Sequence, residues 1–396
     1  DAICNLTNCN FINNHADTSN LAYGGAVLAN YQINFNECKF SKNSAVSTGG
    51  AIYSAYGDCN LNNCEFDNNV AGNISGAVYA YTIAQCNLNN CNFINNNASS
   101  CGAFYGEGNI INCNFTNNHA LVDDSGAIYS TKSLTLTNSI FNDNSAGRDG
   151  GAVYTKEAAI INDCIFNDNS AGRDGGAICS RVISTLSNCT FNNHSAVRYG
   201  GSVKKCDASD CDFVNTVSRN GGAIFQGDAS DCYFVNCSSD MTGSAIYQGN
   251  AEDSVFINCY NSRGIIFNGT STNCIFAESP TLYCPDMSVN YGETISIPVR
   301  VLDKDANDVN GLDVDVKIYS ENKLISSVAT ESGSSIRLHV DADSYIISLT
   351  SKYLTPYNAS IDVNTPKIDP NISVQDVTIV YGEDAVINVY ISSDAM

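Results

Sequence analysis

The string FNDNSAGRDGGA occupies residues 141–152 and returns unchanged at residues 166–177. A looser form of it, Cys-x-Phe-x-Asn-Asn-x-Ala followed after a short gap by Gly-Gly-Ala-Ile-Tyr, recurs through almost the first 280 residues. The spacing between copies is about 25 residues at first and tightens to about 21 after Gly200, which is typical of stacked structural units. The pattern therefore moves the question of function from one buried pocket to a long, regular surface.

Alternation within each copy predicts short β-strands. Over residues 59–66, apolar and polar residues alternate and the phase slips once at Asn62–Asn63, which indicates two strands joined by a bend. No apolar run has a helical period, and paired glycines disfavour a helical repeat. Three short strands per copy predict one rung of a parallel β-helix, so residues 1–280 form a solenoid of about eleven rungs, each about 4.8 Å above the last.

Like residues then fall in columns along the rod. The phenylalanine column and the aliphatic column that precedes each tyrosine are never polar, so we expect both to line the interior. The asparagine column falls at a bend, where asparagine tolerates a left-handed backbone and stacked amides bond from rung to rung. The phenylalanine column comprises Phe11, Phe40, Phe66, Phe93, Phe115, Phe141, Phe166, Phe191, Phe213, Phe234, Phe256 and Phe276. The asparagine column comprises Asn14, Asn43, Asn69, Asn96, Asn118, Asn144 and Asn169.

After Pro280 the repeat stops and cleaner alternation begins, as in Ile295–Val301 and Tyr345–Leu349. Several short strands with frequent turns predict a β-sandwich over residues 281–366. Residues 367–396 are expected to hold a linker and the truncated start of a second sandwich, because 377–383 echoes 287–293. The predicted fold class is therefore all-β, a parallel β-helix followed by a sandwich.

Composition and charge exclude several functions. The formal net charge of −22 argues against nucleic acid as a partner and against anionic membrane surfaces. No stretch is long and apolar enough to span a bilayer, so no membrane insertion is expected in this chain, and no signal peptide opens it. Asp1 starts inside a repeat, and we expect the chain to be a piece of something longer.

The rung repeat and the Tyr-Gly-Glu motif together indicate a resemblance to a known family. Phe66-Asp-Asn-Asn69 and Gly49-Gly-Ala-Ile52 resemble the passenger repeats of chlamydial polymorphic membrane proteins. The chain is more similar to the adhesin-like surface proteins of methanogenic archaea, which join such rungs to tandem bacterial-type Ig-like domains opening with Tyr-Gly-Glu, here Tyr291–Glu293 and Tyr381–Glu383. The resemblance implies an archaeal, extracellular protein at the cell surface, with the sandwiches Ig-like, and it specifies no ligand.

Cysteine is abundant, with 19 residues, but the pattern does not favour a disulfide framework. Most cysteines point to the same side of their strand as the phenylalanines, which is the inside of the rod. Cysteines in register on neighbouring rungs would lie about 4.8 Å apart, whereas the Cβ atoms of a disulfide lie roughly 3.8 Å apart. We therefore expect mostly free, buried thiols, with Cys237 and Cys259 as the best candidates for a pair. No metal site or cofactor is expected, and the turn at 303–308 is a solvated turn rather than a calcium loop.

Catalysis would need convergent carboxylates or an activated nucleophile. Asp123–Asp124 is the only adjacent acid pair in the rod, and no acid is expected to approach it from neighbouring rungs. Asp149 and Asp174 stack beside Arg148 and Arg173 in a pattern that a ladder of ion pairs explains. His15, His119 and His194 are expected to lack serine or cysteine partners outside the core, so no catalytic residue is predicted.

One column is a candidate binding surface. Its members follow the aliphatic column by one residue and should point outward, where aromatic rings in register could stack on sugars or a protein partner. The alternative, which we favour, is that the rings stack on one another and stiffen the sheet. The candidate ligand-binding residues are Tyr53, Tyr79, Tyr105, Tyr129 and Tyr154.

The leading hypothesis is a non-catalytic, extracellular adhesin-like protein, in which the β-helix presents a binding face and the sandwiches form a stalk. Its partner would be a surface glycan or protein of another cell. The alternatives are a polysaccharide-acting lyase or hydrolase on the same rod, and a purely structural spacer.

Overall fold

A computed structural model describes residues 3–17, 22–81, 85–342, 344–364, 370–374 and 389–393 of the chain. These residues form strands and turns without a helix, and the chain divides into two compact units, Asp1–Ser279 and Pro280–Met396. The all-β prediction and the parallel β-helix are confirmed. Residues 367–369 of the expected linker, the last two residues of the predicted sandwich (365–366), and the second Tyr-Gly-Glu motif at 381–383 lie outside the described residues.

The first unit is a solenoid whose turns carry four short strands rather than three. They form three parallel sheets, because the tyrosine-bearing strand and the strand after it join one sheet of 21 strands. The strands of this sheet are Cys4–Thr7, Val27–Ala29, Ile33–Asn36, Ile52–Ser54, Cys59–Asn62, Val78–Ala80, Cys86–Asn89, Phe104–Tyr105, Gly108–Ile111, Ile128–Ser130, Leu134–Thr137, Val153–Thr155, Ala159–Asn162, Ile178–Ser187, Val203–Ser209, Ile224–Phe225, Ala229–Ser230, Ile246–Tyr247, Ala251–Glu252, Ile266–Phe267 and Ser271–Thr272.

The second sheet has twelve strands, each centred on a phenylalanine, and the third has ten. The second consists of Asn10–Ile12, Lys39–Ser41, Glu65–Asp67, Asn92–Ile94, Asn114–Thr116, Ile140–Asn142, Ile165–Asn167, Thr190–Asn192, Asp212–Val214, Tyr233–Val235, Val255–Ile257 and Ile275–Ala277. The third consists of His15–Ala16, Ser44–Ala45, Val70–Ala71, Asn97–Ala98, His119–Ala120, Ser145–Ala146, Ser170–Ala171, Ser195–Ala196, Val217–Asn220 and Ser238–Thr242. Because the third sheet ends at Thr242, the rod has about ten complete turns rather than eleven.

Where a turn has paired glycines, the two residues are needed for different steric reasons. The first glycine of a pair, such as Gly49, has a left-handed backbone with a φ of +68°. The second, such as Gly50, has no room for a side chain, because a Cβ would lie 2.0 Å from the carbonyl oxygen of Gly76 on the next turn. Turns with a serine at the first position compensate with a hydrogen bond, which Ser75 Oγ donates to the Val78 carbonyl at 2.6 Å. The motif is thus a requirement of turn-to-turn packing.

The predicted asparagine column forms a buried ladder. Asn43 Nδ2 donates to Oδ1 of Asn69 at 3.0 Å, and Asn69 Nδ2 donates likewise to Asn96 at 3.0 Å. The left-handed conformation belongs to the residue before each member, as at Asn68 with a φ of 55°, and not to the column itself. The bend is therefore made by one residue and stabilised by the amide of the next.

His194 occupies the asparagine position one turn beyond Asn169. It is 1% exposed, its Nδ1 accepts from the Asn169 backbone N–H at 3.1 Å, and its Nε2 lies 3.1 Å from the Phe166 carbonyl oxygen. Burial lowers the pKa of the His194 imidazole to about 4. The histidine is therefore neutral near pH 7 and serves as a ladder member rather than as an exposed repeat residue.

All nineteen cysteines lie within the described residues and are free thiols, and sixteen of them are buried. The inward-facing phenylalanine column, which is 0% exposed from Phe40 to Phe256, packs beside them, with ring centroids 4.9 Å apart for Phe115 and Phe141. Cys237 and Cys259, the suggested pair, donate instead to the carbonyls of Phe213 and Phe234 at 3.4 and 3.3 Å. Buried cysteine here acts as a small apolar residue with a weak donor.

The second unit has its own buried residues and sheets. A five-stranded sheet runs in the order Met287–Asn290, Tyr357–Asn364, Ser344–Thr350, Asp313–Ser320 and Lys323–Glu331, with only the first pair parallel. Three antiparallel pairs join Thr281–Tyr283 to Arg300–Leu302, Thr294–Pro298 to Ser335–His339, and Pro370–Val374 to Val389–Ser393. Tyr345 is 1% exposed, and its hydroxyl accepts from the Asp341 backbone N–H at 2.8 Å while donating to the Asp341 carboxylate at 2.7 Å.

Candidate functional site

The five candidate tyrosines form one continuous stack on the outside of the rod. In-register pairing of the strands places Tyr79 beside Tyr53 and Tyr105. Ring centroids lie 5.1 Å apart for Tyr53 and Tyr79, 4.7 Å for Tyr79 and Tyr105, and 4.9 Å for Tyr105 and Tyr129. Tyr154 continues the stack at 4.9 Å with a tilt of 32°. The structure therefore brings all five residues together.

The stack is less exposed than the outward parity predicts. Tyr79 is 9% and Tyr154 2% exposed, and Tyr53, Tyr105 and Tyr129 are half-buried. Loss of solvent is the first cause that raises the pKa of each phenol in the column. Because each ring covers the faces of its neighbours, the column offers edges and hydroxyls rather than open ring faces. Mutual stacking, the alternative interpretation of this column, is what the geometry shows.

Basic side chains cover the end of the stack at Tyr154. Arg181 Nε donates to the Tyr154 hydroxyl at 2.6 Å, and the Lys156 ammonium lies 5.5 Å from the ring centroid of Tyr129. The next column members are Cys179 and Lys204. The aromatic column is therefore interrupted at these two turns and resumes with Phe225 and Tyr247.

Three tyrosines at a corner of the rod were missed because they lie outside the repeat columns. They lie one or two residues after the ends of the strands Val27–Ala29, Ile52–Ser54 and Val78–Ala80 on successive turns. We call Tyr31, Tyr56 and Tyr81 the corner tyrosines; they are 65%, 66% and 41% exposed. The rings of Tyr56 and Tyr81 meet edge to face, with centroids 6.5 Å apart and planes at 73°, so ring face remains open to solvent. A search for aromatic residues in the bends, rather than in the columns, would have found them.

Two of the corner tyrosines, Tyr31 and Tyr56, border a groove of about 640 Å³. Its lining combines apolar, amide and carboxylate groups from Ile3, Asn30, Tyr31, Gln32, Tyr56, Gly57 and Asp58. The Tyr56 and Tyr81 hydroxyls also contribute to raising the pKa of the Tyr53 phenol, after burial and Tyr23, so the corner adjoins the stack. Stack and corner form one tyrosine-rich surface on the N-terminal turns.

A column of carboxylates corrects the expectation for Asp124. Asp149 does approach it from the next turn, since the Asp149 backbone N–H donates to Oδ1 of Asp124 at 3.3 Å. Burial first, and then the Asp149 charge, raise the pKa of Asp124. Arg173 pairs with Asp149, while Arg198 and Lys204 bind Asp174 at 2.8 and 2.6 Å. The acids are held by bases, as the ion-pair interpretation predicts.

Two histidines also differ from expectation, because each has a serine partner outside the core. His119 Nδ1 lies 2.7 Å from Ser145 Oγ, with its Nε2 2.9 Å from Asn117 Oδ1, and His15 Nδ1 lies 2.6 Å from Ser44 Oγ. Burial lowers the pKa of His119, so the imidazole is neutral near pH 7. These contacts follow from strand register, which places His119 opposite Ser145 and His15 opposite Ser44.

A nucleophilic serine also needs free donors for the developing oxyanion. The Ser145 N–H donates to the Asn118 carbonyl at 3.1 Å, and the Gly147 N–H donates to Ala120 at 2.8 Å. The backbone donors beside the serine are thus already used between turns. The histidine–serine pairs act as side-chain bridges along the sheet.

Within the described ranges, no three His, Cys, Asp or Glu side chains are placed to hold a metal ion. In the turn at 303–308, the Asp303 carboxylate accepts the N–H groups of Asp305 and Asn307 at 2.9 Å each. Arg300 pairs with Asp308 at 2.7 Å. The carboxylates are engaged with donors, as in a solvated turn.

Three segments of the rod, residues 37–55, 138–156 and 163–181, match a family model described as the Chlamydia polymorphic membrane protein repeat. Each begins at a left-handed residue, Glu37, Asn138 or Asp163, and ends two residues after the tyrosine column. The resemblance of the rungs to this repeat is confirmed over these segments, which amount to well under half of the chain. The resemblance to archaeal surface proteins stays a prediction.

Comparison with curated proteins gives no match. Among solved structures, a chimeric titin Z1Z2-Z1Z2 tandem functionalized with a GRGDS exogenous peptide from fibronectin is similar at 20% identity, with a TM-score of 0.17. The match covers 29% of this chain and 64% of the titin tandem, less than two thirds of its length. A similarity this low carries no argument about fold or function.

Within the described part of the chain, no helix has the length and apolar character that crossing a membrane requires.

Proposed function

We propose that the chain is part of a non-catalytic, adhesin-like protein of the cell surface. The rod presents a binding face to a glycan or protein of another cell. One observation carries this proposal: tyrosines are concentrated on one surface of the N-terminal turns, as a rigid stack flanked by open corner rings. Amphipathic rings at low conformational cost are typical of recognition surfaces. The match to a polymorphic membrane protein repeat supports a surface location.

The second unit is proposed to be an Ig-like sandwich that serves as a stalk, with a second such module beginning after residue 366. Its support is Tyr345, a buried tyrosine whose hydroxyl bonds to the backbone four residues upstream, at Asp341. A tyrosine in this role at a strand corner is a hallmark of Ig-like folds. The isolated antiparallel pair of Pro370–Val374 and Val389–Ser393 is compatible with the start of another module.

The binding face is proposed to include the edges of Tyr53, Tyr79, Tyr105, Tyr129 and Tyr154. Phenol hydroxyls at the rim of a rigid stack are hydrogen-bonding groups held at fixed intervals of about 4.8 Å. A partner that recognises them would lose little entropy on the protein side, because the stack already orders the rings.

The direct experiment immobilises the full chain and measures binding to panels of surface glycans and surface proteins and to whole cells. Specific, saturable binding to at least one is expected. The double variant Tyr105→Phe and Tyr129→Phe keeps the stack and removes two hydroxyls, so weaker binding at unchanged thermal stability would locate the face. Saturable binding to none of the panels would leave the rod a structural spacer.

A further inference from the structure

We infer that the groove beside Tyr31 and Tyr56 is a binding site for a neutral oligosaccharide. The inference rests on the proposed adhesin function and deepens it, because it names a ligand class and a place on the rod.

The rings of Tyr31 and Tyr56 are open to solvent, unlike those of the tyrosine stack. In the tyrosine stack, both faces of an interior ring are covered by neighbours. Tyr31 and Tyr56 are instead 65% and 66% exposed on consecutive turns. The C–H face of a pyranose packs on an open aromatic face, which these rings can provide and the stacked rings cannot.

Polar groups line the groove beside these rings. The side chains of Asn30 and Gln32 carry amide donors and acceptors. Oδ1 of Asp58 accepts the Gln85 backbone N–H at 3.1 Å, which leaves Oδ2 to accept from a ligand. Sugar hydroxyls both donate and accept, so mixed amide and carboxylate groups beside an aromatic ring match them. A purely apolar partner would leave these groups unpaired.

The backbone around the groove is held in place before any ligand binds. Gly57 fits against the Tyr31–Gln32 peptide only because it lacks a side chain, since a Cβ there would lie 2.1 Å from the Gln32 nitrogen. Ser54 Oγ donates to the Gly57 carbonyl at 2.8 Å, and the Ala55 N–H donates to the Ala29 carbonyl at 2.7 Å. Backbone contacts therefore fix the bend that carries Tyr56 against the bend that carries Tyr31, and binding need not order it.

The size and the charge of the groove suit a neutral saccharide. The groove of about 640 Å³ lies within the roughly 300–1,000 Å³ typical of small-ligand sites. Turns repeat at about 4.8 Å, close to the rise of one pyranose in an extended chain, so successive sugars would meet successive turns. Asp58 in the groove and the net charge of −22 disfavour uronic or sialic acids. Among the described residues, the lining holds a single carboxylate, already bonded through Oδ1 to the Gln85 N–H, so it provides no cluster of anions for a cationic aminosugar.

The experiment measures binding of the full chain to neutral glucan, mannan and galactan hexasaccharides, with hexagalacturonate as the acidic arm and hexaglucosamine as the cationic arm. At least one neutral hexasaccharide is expected to bind. The double variant Tyr31→Ala and Tyr56→Ala should weaken that binding by roughly tenfold or more, as loss of aromatic anchors does.

Two controls separate ring contact from general damage. The double variant Tyr31→Phe and Tyr56→Phe keeps the ring faces and should retain most of the affinity. Tyr260→Ala removes a tyrosine that is 72% exposed elsewhere on the rod and should leave affinity unchanged. Thermal unfolding of all variants should match the parent, because these side chains are mostly exposed.

The outcomes distinguish the two proposals. Undiminished saccharide binding by the alanine double variant would overturn the groove while leaving the adhesin function standing. Preference for hexagalacturonate or hexaglucosamine would overturn the neutral class, and binding of a surface protein alone at these tyrosines would overturn saccharide as the ligand. If the chain binds neither saccharides nor surface proteins, the inference and the proposed function fail together.

Discussion

The phenylalanine and tyrosine columns run through the same turns at nearly the same spacing, yet they meet different environments. Phe115 and Phe141 lie 4.9 Å apart inside the rod and are 0% exposed, whereas Tyr105 and Tyr129, also 4.9 Å apart, are half-buried on its outer surface. Strand register alone sets the spacing of both stacks. The two columns differ in what each ring touches besides its stacking neighbours. A phenylalanine ring touches the core of the rod, whereas a tyrosine ring touches solvent or a neighbouring bend. Stability should therefore depend on the first column and recognition on the second.

The strongest way to break the inner stack is Phe141→Ala. It should cost about 3–5 kcal/mol, because a buried cavity replaces the ring. Since solenoid stability is largely nearest-neighbour, faster hydrogen exchange should concentrate in turns containing Phe115, Phe141 and Phe166. Equal acceleration over residues 281–364 would contradict the independence of the two units.

His194 is an ionisable side chain in a buried column, the asparagine ladder. It therefore makes the stability of the rod interior depend on pH. Its native pKa of about 4 lies below the unfolded value of about 6.5, so the unfolded chain binds the proton more readily. Its contribution to stability is complete above about pH 6.5 and is lost as the pH falls toward 4, by about 3 kcal/mol in total.

His194→Asn restores the ladder residue and should remove that part of the pH dependence. The measurement is the difference in unfolding free energy between variant and parent at pH 7 and near pH 4.5. A difference that does not change with pH would show that His194 is protonated without penalty.

Breaking the outer stack should cost less. Tyr129→Ala removes two stacking contacts of about 0.5–1.5 kcal/mol each, so a loss of about 1–3 kcal/mol is expected. Tyr129→Phe keeps the ring and should stay within about 0.5 kcal/mol of the parent. Chemical denaturation of the three proteins measures both values, and an alanine effect as large as that of Phe141→Ala would erase the distinction between the columns.

The smallest effect is expected where a charged side chain covers the stack. Arg181→Ala removes the donor to the Tyr154 hydroxyl and should cost less than about 1 kcal/mol, because Arg181 is exposed. The same change should raise the Tyr154 pKa further, since Arg181 lowers it now. A difference ultraviolet titration of phenolate against the parent would detect that shift, and its absence would show that the contact does not persist in solution.

The columns were predictable because their positions are tied to a strict period. Even the approach of Asp124 to Asp149 had a signal, since each aspartate stands two residues before the same glycine of its turn. The exposure of the tyrosine column could not be predicted from the alternation of inward and outward side chains along the strand. It depends on bends of unequal length, and the corner tyrosines arise in those bends, where no period constrains the residue. In the second unit, the strand Lys323–Glu331 lacks the alternation of apolar and polar residues by which strands are recognised in a sequence. Its neighbouring apolar residues Leu324 and Ile325 are both exposed.

The close approach of each second glycine to the next turn has an evolutionary consequence. A turn that fits its neighbour through backbone atoms accepts any other turn of the same kind, so a whole turn is the natural unit of gene duplication and loss. The identical strings at 141–152 and 166–177 have the character of such an event. A turn duplicated on the C-terminal side of the tyrosine stack would lengthen the rod by about 4.8 Å and leave both the stack and the corner tyrosines unaltered. Reach and specificity in this architecture would then evolve independently, the first by copying turns and the second by substitution in their bends.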